Sequence, residues 1–199
     1  MLIEQGGFGA VYKAWDIVLN RQCAVKESYE TSPEGQRQFL REAQILANLS
    51  HPNLPRVTDY FSIPEQGQYL VMDFVEGNSL EELRVQAGER LPEAQALVWI
   101  AQVLDALIYI HRQNPPVIHR DIKPTNILVA EYDNEPVPKV IDFGVAKAIS
   151  QSLTEKTMFT GLRQIVGTLE YMSPEQAKVN QLDIDTRSDI YSLGVLMYE

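Results

Sequence analysis

A single cysteine, Cys23, is the only thiol in this chain of 199 residues. No disulfide can form within it, so a disulfide-stapled scaffold is excluded, and the lone thiol fits a reducing compartment. Positive charge is also scarce: 17 Lys and Arg stand against 27 Asp and Glu, a formal net charge of −10. So acidic a chain lacks the basic face that phosphate-backbone contacts need, which argues against nucleic acid as a partner. Glycine and proline, 11 of each, are too few for a collagen-like or low-complexity chain. Long apolar runs are missing as well. The most apolar stretch, 96–110, is interrupted by Gln102 and Asp105 and falls short of the ~20 apolar residues of a membrane span. The N-terminal Met-Leu-Ile-Glu-Gln has neither the basic region nor the apolar core of a secretory signal. His51, His111, His119 and Cys23 show no metal-ligand spacing.

What is present is a globular composition, 45% hydrophobic and 22% charged. The first 75 residues read mostly as strands. Ala10 to Trp15 and Gln22 to Glu27 form one pair, Leu54 to Phe61 and Tyr69 to Phe74 another, with Glu65-Gln66-Gly67 as a hairpin turn. Ser32-Pro33 opens a helix between the pairs, with Phe39, Ala43 and Leu46 recurring at helical spacing. After Glu76-Gly77-Asn78 the character turns helical. Ser79 to Glu82 has capping-box spacing. Pro92 starts a long helix whose buried face is expected to carry Leu97, Ile100, Ala101, Leu104, Leu107 and Ile108. Ile127 to Ala130 and Lys139 to Phe143 flank an Asp133-Asn134 turn and read as a hairpin. Residues 144–172 read as a long functional loop. Ser173-Pro174-Glu175-Gln176 is a third helix start, and Ile190 to Tyr198 an apolar helix. The organisation expected is a small β-rich lobe over 1–72, a hinge at 73–77 and a larger helical lobe over 78–199.

Several residues carry chemistry. In Gly6-Gly7-Phe8-Gly9-Ala10-Val11, between two strand-like segments, the glycines let backbone amides approach a phosphate, although such a loop is also a common hairpin turn. Lys26 lies on the next strand, where a lysine is usually a solvated edge residue. Glu42 changes that reading. It shares the buried face of its helix with Phe39 and Leu46 and therefore needs a cationic partner, and Lys26 is the natural one. The strongest run is His119-Arg120-Asp121-Ile122-Lys123-Pro124-Thr125-Asn126, followed by Asp142-Phe143-Gly144. Phosphoryl transfer needs a carboxylate to orient the attacking hydroxyl, a cation near the moving phosphoryl group and oxygen ligands for Mg²⁺. Asp121, Lys123, and the pair Asn126 and Asp142 can supply them.

Taken in this order, the glycine loop, Lys26, Glu42, the His-Arg-Asp run, Asp-Phe-Gly and Ser-Pro-Glu resemble the eukaryotic-like protein kinase family over essentially the whole chain. The resemblance implies an α+β bilobal kinase-like fold, with an antiparallel β-rich N-lobe bearing one helix and a larger helical C-lobe. It also implies Asp121 as catalytic base, Lys123 at the γ-phosphate, and Lys26 paired with Glu42 on the α- and β-phosphates. Asn126 and Asp142 would hold Mg²⁺ or Mn²⁺. The ATP site would comprise Gly6, Gly7, Phe8, Gly9, Val11, Ala24, Lys26, Met72 as gatekeeper, Asp73, Val75, Leu128 and Asp142, with Phe74 also in the hinge. Asp189 would steady the catalytic loop and His119 would support Phe143. The Lys123-Pro124-Thr125-Asn126 spelling and Gly167-Thr168 before Tyr171 resemble Ser/Thr kinases, and Gly-Thr-Leu-Glu-Tyr-Met-Ser-Pro-Glu-Gln-Ala is similar to bacterial members.

The expected partners are ATP and protein substrates with Ser or Thr, with a homodimer for autophosphorylation, and the resemblance implies a cytoplasmic kinase domain. Thr160, then Thr157, are the expected autophosphorylation sites, their phosphate pairing with Arg120 and ordering a loop that contains Lys147. Thr168 is expected to be structural. His51 reads as a loop-fixing residue and His111 as a helix C-terminus, where a cation is favoured. Trp15, Trp99 and most tyrosines read as packing, and Asp183 with Asp185 as a solvated acidic turn. Glu4 departs from the family pattern, standing where a first loop glycine is usual. A family domain runs to about 250 residues, so the chain reads as truncated at both ends. That reading leaves Glu175 without its arginine partner and the 190–198 helix with an exposed apolar patch. A pseudokinase scaffold and a small-molecule phosphotransferase are the competing readings. The intact His-Arg-Asp and Asp-Phe-Gly runs weigh against the first, the Ser-Pro-Glu and Gly-Thr-x-x-Tyr elements against the second.

Overall fold

A computed structural model describes residues 1–7, 9–88, 90–143, 169–177 and 184–199. Phe8, Gly144, Lys147, Thr157, Thr160, Gly167, Thr168 and Asp183 lie outside the described residues. Two compact units result, one comprising Met1–Ser50 with Pro55–Val75, the other His51–Leu54 with Glu76–Glu199.

The first unit is a five-stranded antiparallel sheet of order β1-β2-β3-β5-β4. Its strands are β1 (Leu2–Gly6), β2 (Gly9–Asp16), β3 (Arg21–Ser28), β4 (Val57–Ile63) and β5 (Gly67–Asp73). Helix α1 (Pro33–Ala47) begins as its sequence dictates: the Ser32 side chain accepts from Gly35 N at 3.1 Å and Pro33 occupies the first turn. Its buried stripe is Phe39, Glu42, Ala43 and Leu46, and Phe39 meets Tyr60 of β4 with ring centroids 6.3 Å apart. Gly9 is required by close approach, since a Cβ there would stand 2.0 Å from the Glu27 carbonyl oxygen. Trp15 is not a packing residue. It is 54% exposed, beside the still more exposed Ile17, Val18 and Leu19 of the β2–β3 connection.

The second unit holds a three-stranded sheet of order β6-β7-β8, from β6 (Gly77–Ser79), β7 (Ile127–Tyr132) and β8 (Glu135–Val140). The β7–β8 turn uses Asp133 and Asn134, both at positive φ, 51° and 63°, as a two-residue hairpin of this hand demands. Helix α2 (Leu80–Gln86) starts with the expected capping box: Ser79 accepts from Glu82 N while the Glu82 carboxylate accepts from Ser79 N. Helices α3 (Glu93–His111) and α4 (Thr186–Tyr198) pack together, and α3 also packs on β8.

The face of α3 differs from the expected one. Its buried residues are Trp99, Ile100, Val103, Ala106, Leu107 and Ile110, while Leu97, Ala101, Leu104 and Ile108 are exposed. The helix is apolar nearly all round, so periodicity alone did not select a face. By length and composition this helix would also suffice to cross a membrane, despite Gln102 and Asp105. Its Val103, Ala106 and Leu107 are nonetheless completely buried in the unit's core. Two further readings change. Asp185 caps α4, its side chain accepting from Arg187 N at 2.8 Å. Glu175 is not left without a partner: Ser188 Oγ donates to it at 2.6 Å, and that bond holds its carboxyl below the usual range. Ser173 to Ala177 forms a turn. Ile190, Tyr191, Met197 and Tyr198 of α4 are exposed.

The segment His51–Leu54 joins the second unit because Asn53 is tied into it. Asn53 Nδ2 donates to the Pro138 carbonyl at 2.7 Å and to Gln102 Oε1 at 3.0 Å, and its carbonyl accepts from Val140 N at 2.8 Å. His51 fixes the turn by accepting from Asn53 N.

Candidate functional site

The sequence-derived site residues fall into two groups, one in each unit. In the first unit, strand register gathers four of them. Val11 pairs with Lys26, and Ala24 with Met72. Directly opposed residues of antiparallel strands share a face, as do residues two apart along one strand. Val11, Ala24, Lys26 and Met72 therefore line one face of the sheet. Gly6 opposes Gly9 at the turn joining β1 and β2, and Gly7 has open space where a side chain would be. Glu4 lies exposed on β1.

Lys26 Nζ stands 3.6 Å from Glu42 Oε1, the lysine side chain 21% exposed and the glutamate 1%. The helical spacing that buried Glu42 thus brought it to the cation it needs. At the end of β5, Asp73 binds Arg21 Nη1 at 3.1 Å with one oxygen and accepts from Arg56 N at 3.2 Å with the other. Lys13 Nζ sits 4.2 Å from the centroid of the Phe74 ring, and Val75 is buried.

In the second unit the group is denser. Asp121 is buried, and its Oδ2 is 3.1 Å from Lys123 Nζ and accepts from Asn126 Nδ2 at 2.9 Å. Asn126 Nδ2 also donates to the Asp121 carbonyl at 2.8 Å. With both N–H groups of that amide turned toward Asp121, its carbonyl oxygen is the atom left for another ligand. Asn126 ends a short 3-10 turn, Pro124–Asn126, that leads into β7. Its backbone carbonyl accepts from Ile141 N at 2.9 Å, bringing Asp142 alongside. Asp142 itself has φ 56°, a left-handed conformation that costs a non-glycine residue about 1–3 kcal/mol and clusters at working sites. Leu128 follows on β7, half-buried.

The loop carrying Asp121 is held from beneath. The Asp189 carboxylate, completely buried, accepts from His119 N at 2.8 Å through Oδ2 and from Arg120 N at 2.7 Å through Oδ1. His119 is also completely buried, with its ring 4.6 Å from that of Phe143. Its Nε2 faces the Ile141 carbonyl and its Nδ1 accepts from Asp121 N, the arrangement of a neutral imidazole. Burial pushes its pKa down, against the pull of Asp189, Asp121 and Asp142. Burial likewise lowers the pKa of Arg120, with Asp189 opposing. Sequence reasoning missed two members of this support. His111 reaches Asp189 with Nε2 2.8 Å from Oδ2. Gln176 Nε2 donates to the Arg120 carbonyl at 2.9 Å.

Among the described residues no three His, Cys, Asp or Glu side chains are set to hold a metal by themselves. Asn126 and Asp142 together offer one amide and one carboxylate oxygen donor. Such a sparse, hard-oxygen set fits Mg²⁺, which keeps its waters and is completed by substrate phosphates.

The protein kinase domain family matches residues 1–199. A probable serine/threonine-protein kinase of Streptomyces coelicolor is 40% identical over 100% of this chain and 29% of its own length. Serine/threonine-protein kinase PrkC of Bacillus subtilis is 37% identical over 100% of the chain and 29% of its own length. PknB of Mycobacterium leprae is 37% identical, with 98% and 30% covered. The chain thus spans under a third of the length of these relatives. Among solved structures, the apo form of PpkA-294 matches with a TM-score of 0.73 at 28% identity, covering all of this chain and 72% of that one.

Proposed function

Because the chain belongs to the protein kinase domain family, we propose that the protein carrying it is an ATP-dependent serine/threonine kinase acting on proteins. The observation that carries this reading is the hold on Asp121, a buried carboxylate fixed by Lys123 and Asn126 at 3.1 and 2.9 Å, with Asp142 following Ile141, whose N–H bonds the Asn126 carbonyl. Asp121 orients the hydroxyl of a serine or threonine and takes its proton. Lys123 offsets negative charge at the phosphoryl group in transit. Lys26, anchored by Glu42, binds the α- and β-phosphates, and the backbone of Gly6, Gly7, Phe8 and Gly9 covers them. Val11, Ala24, Met72, Asp73, Val75 and Leu128 bind the base. Asn126 and Asp142 hold Mg²⁺ or Mn²⁺, which when bound with ATP neutralises the phosphate oxygens.

Regulation by autophosphorylation belongs to the same reading. Thr160, then Thr157, receive phosphate, and Arg120 pairs with it.

Intact-mass spectrometry after incubation with ATP and Mg²⁺, beside Asp142→Ala, tests the proposal. Phosphate added to the parent alone supports it, and peptide mapping then locates the threonine. A nucleotide-stabilised parent that gains no phosphate and transfers none to dephosphorylated casein would overturn it in favour of a binding scaffold.

A further inference from the structure

Gln176, which braces the Arg120 carbonyl, has both ends of its side-chain amide engaged. Ser173, itself completely buried, donates its backbone N–H to Gln176 Oε1 at 3.1 Å, and Ser173 Oγ accepts from Gln176 N at 3.4 Å. This is the reciprocal capping box of the Ser-Pro-Glu-Gln turn. A glutamate would serve that box equally well. Only an amide brings a donor in addition, and here the donor is spent on another segment: Gln176 Nε2 reaches the Arg120 carbonyl at 2.9 Å.

Arg120 is the residue before Asp121, and its backbone is left-handed, with φ 67°. A non-glycine residue stays in that region only when its surroundings over-determine it. Both of its peptide groups are held: its N–H by Asp189 Oδ1 at 2.7 Å and its carbonyl by Gln176. That carbonyl belongs to the peptide plane whose N–H is Asp121's own, 3.3 Å from His119 Nδ1. Rotation of the plane would carry the Asp121 carboxylate away from Lys123 and Asn126.

We infer that Gln176 is a positioning residue for phosphoryl transfer, pinning the Arg120–Asp121 peptide to the Ser173–Gln176 turn so that Asp121 is set at its working angle. The inference rests on the kinase reading above and adds a residue to it.

Gln176→Glu is the direct test, made in the protein at its natural length. It keeps the acceptor for Ser173 N and removes the donor to Arg120. With dephosphorylated casein as substrate, kcat is expected to fall about tenfold or more, with the KM for ATP unchanged and the melting temperature lowered only by the loss of the bond to the Arg120 carbonyl. Lowering the pH protonates the introduced carboxylate and restores a donor, so the ratio of variant to parent kcat should rise as pH falls. Should Gln176→Glu fail to fold, Gln176→Met, which lacks the donor and also leaves Ser173 N–H without its acceptor, should lose kcat by a similar factor at a lowered melting temperature. A parental kcat in either folded variant, or a kcat loss in Gln176→Glu that does not recover as pH falls, overturns the inference and leaves the kinase reading intact. A parent that transfers no phosphate overturns the kinase reading itself.

Discussion

Asp189, in the first turn of α4, meets His111, the last residue of α3, with Oδ2 and Nε2 2.8 Å apart. The same oxygen accepts from His119 N and the other oxygen from Arg120 N. One buried carboxylate therefore joins the ends of two core helices to the loop that presents Asp121. The distance in sequence from His111 to Asp189 makes this a tertiary lock, with the helices supplying rigidity and the loop receiving it.

Removing the lock should cost stability and activity together. Asp189→Ala leaves two backbone N–H groups and an imidazole without their acceptor, and a loss of about 3–5 kcal/mol is expected. His111→Ala removes only one of the three contacts and should cost about 1–2 kcal/mol. Urea denaturation of both variants checks the ordering. Equal losses would show that His111, not the loop, is the main beneficiary of the carboxylate.

Gly9→Ala tests the close approach at the start of β2. The added methyl would stand 2.0 Å from the Glu27 carbonyl oxygen, a backbone atom that moves only if β3 moves. A destabilisation of about 1–3 kcal/mol is expected. Binding of ATP, followed by its effect on the melting temperature, should weaken as well, since β3 carries Lys26.

The sequence made some of this legible and hid the rest for physical reasons. Local chemistry could be read: Ser32-Pro33, the Ser79–Glu82 box and the Asp133-Asn134 turn each act within a few residues and formed as expected. The Lys26–Glu42 pair was legible because a charge on a buried helical stripe demands a partner. The buried face of α3 was not, since a helix apolar nearly all round gives periodicity little to select. The roles of His111, Asn53 and Gln176 were invisible for another reason. Each bonds to a residue far away in sequence, and nothing local to a histidine at a helix end or a glutamine in a capping box tells what lies opposite.

Stability should fall as the solution is acidified through the histidine range. Burial holds the pKa of His119 and of His51 below the ordinary value, so both stay neutral in the folded protein where the unfolded chain has begun to protonate them. A group whose folded pKa is depressed contributes stability above its unfolded pKa, and that contribution is lost as pH drops. Between about pH 6.5 and 5 the unfolding free energy should therefore decline, by about 1.4 kcal/mol per pH unit for each such proton. Glu30 and Glu175, whose carboxyls are also lowered, act only below about pH 4.5 and leave this window clear. Unfolding free energies measured across it should show a shallower slope for His119→Gln than for the parent. An unchanged slope would mean that His119 is protonated within the fold.

The Lys26–Glu42 pair separates stability from catalysis. Glu42 is 1% exposed while Lys26 retains 21%, so the carboxylate depends on the lysine more than the lysine on it. Lys26→Met should therefore destabilise the protein by about 1–3 kcal/mol, less than for a fully buried pair because water still reaches the ammonium. Phosphoryl transfer should drop at least 100-fold, since the phosphates lose their fixed cation. Adding Glu42→Leu to Lys26→Met removes the buried carboxylate and fills its place on the helix stripe beside Phe39 and Leu46. An apolar replacement of a buried pair is commonly neutral or stabilising, so the double variant should regain the parent's stability without regaining any activity. Denaturation and phosphoryl transfer on the three proteins decide it. Recovery of stability without transfer assigns the pair to the chemistry. No recovery would mean that the pair holds α1 against the sheet in a way that packing cannot replace.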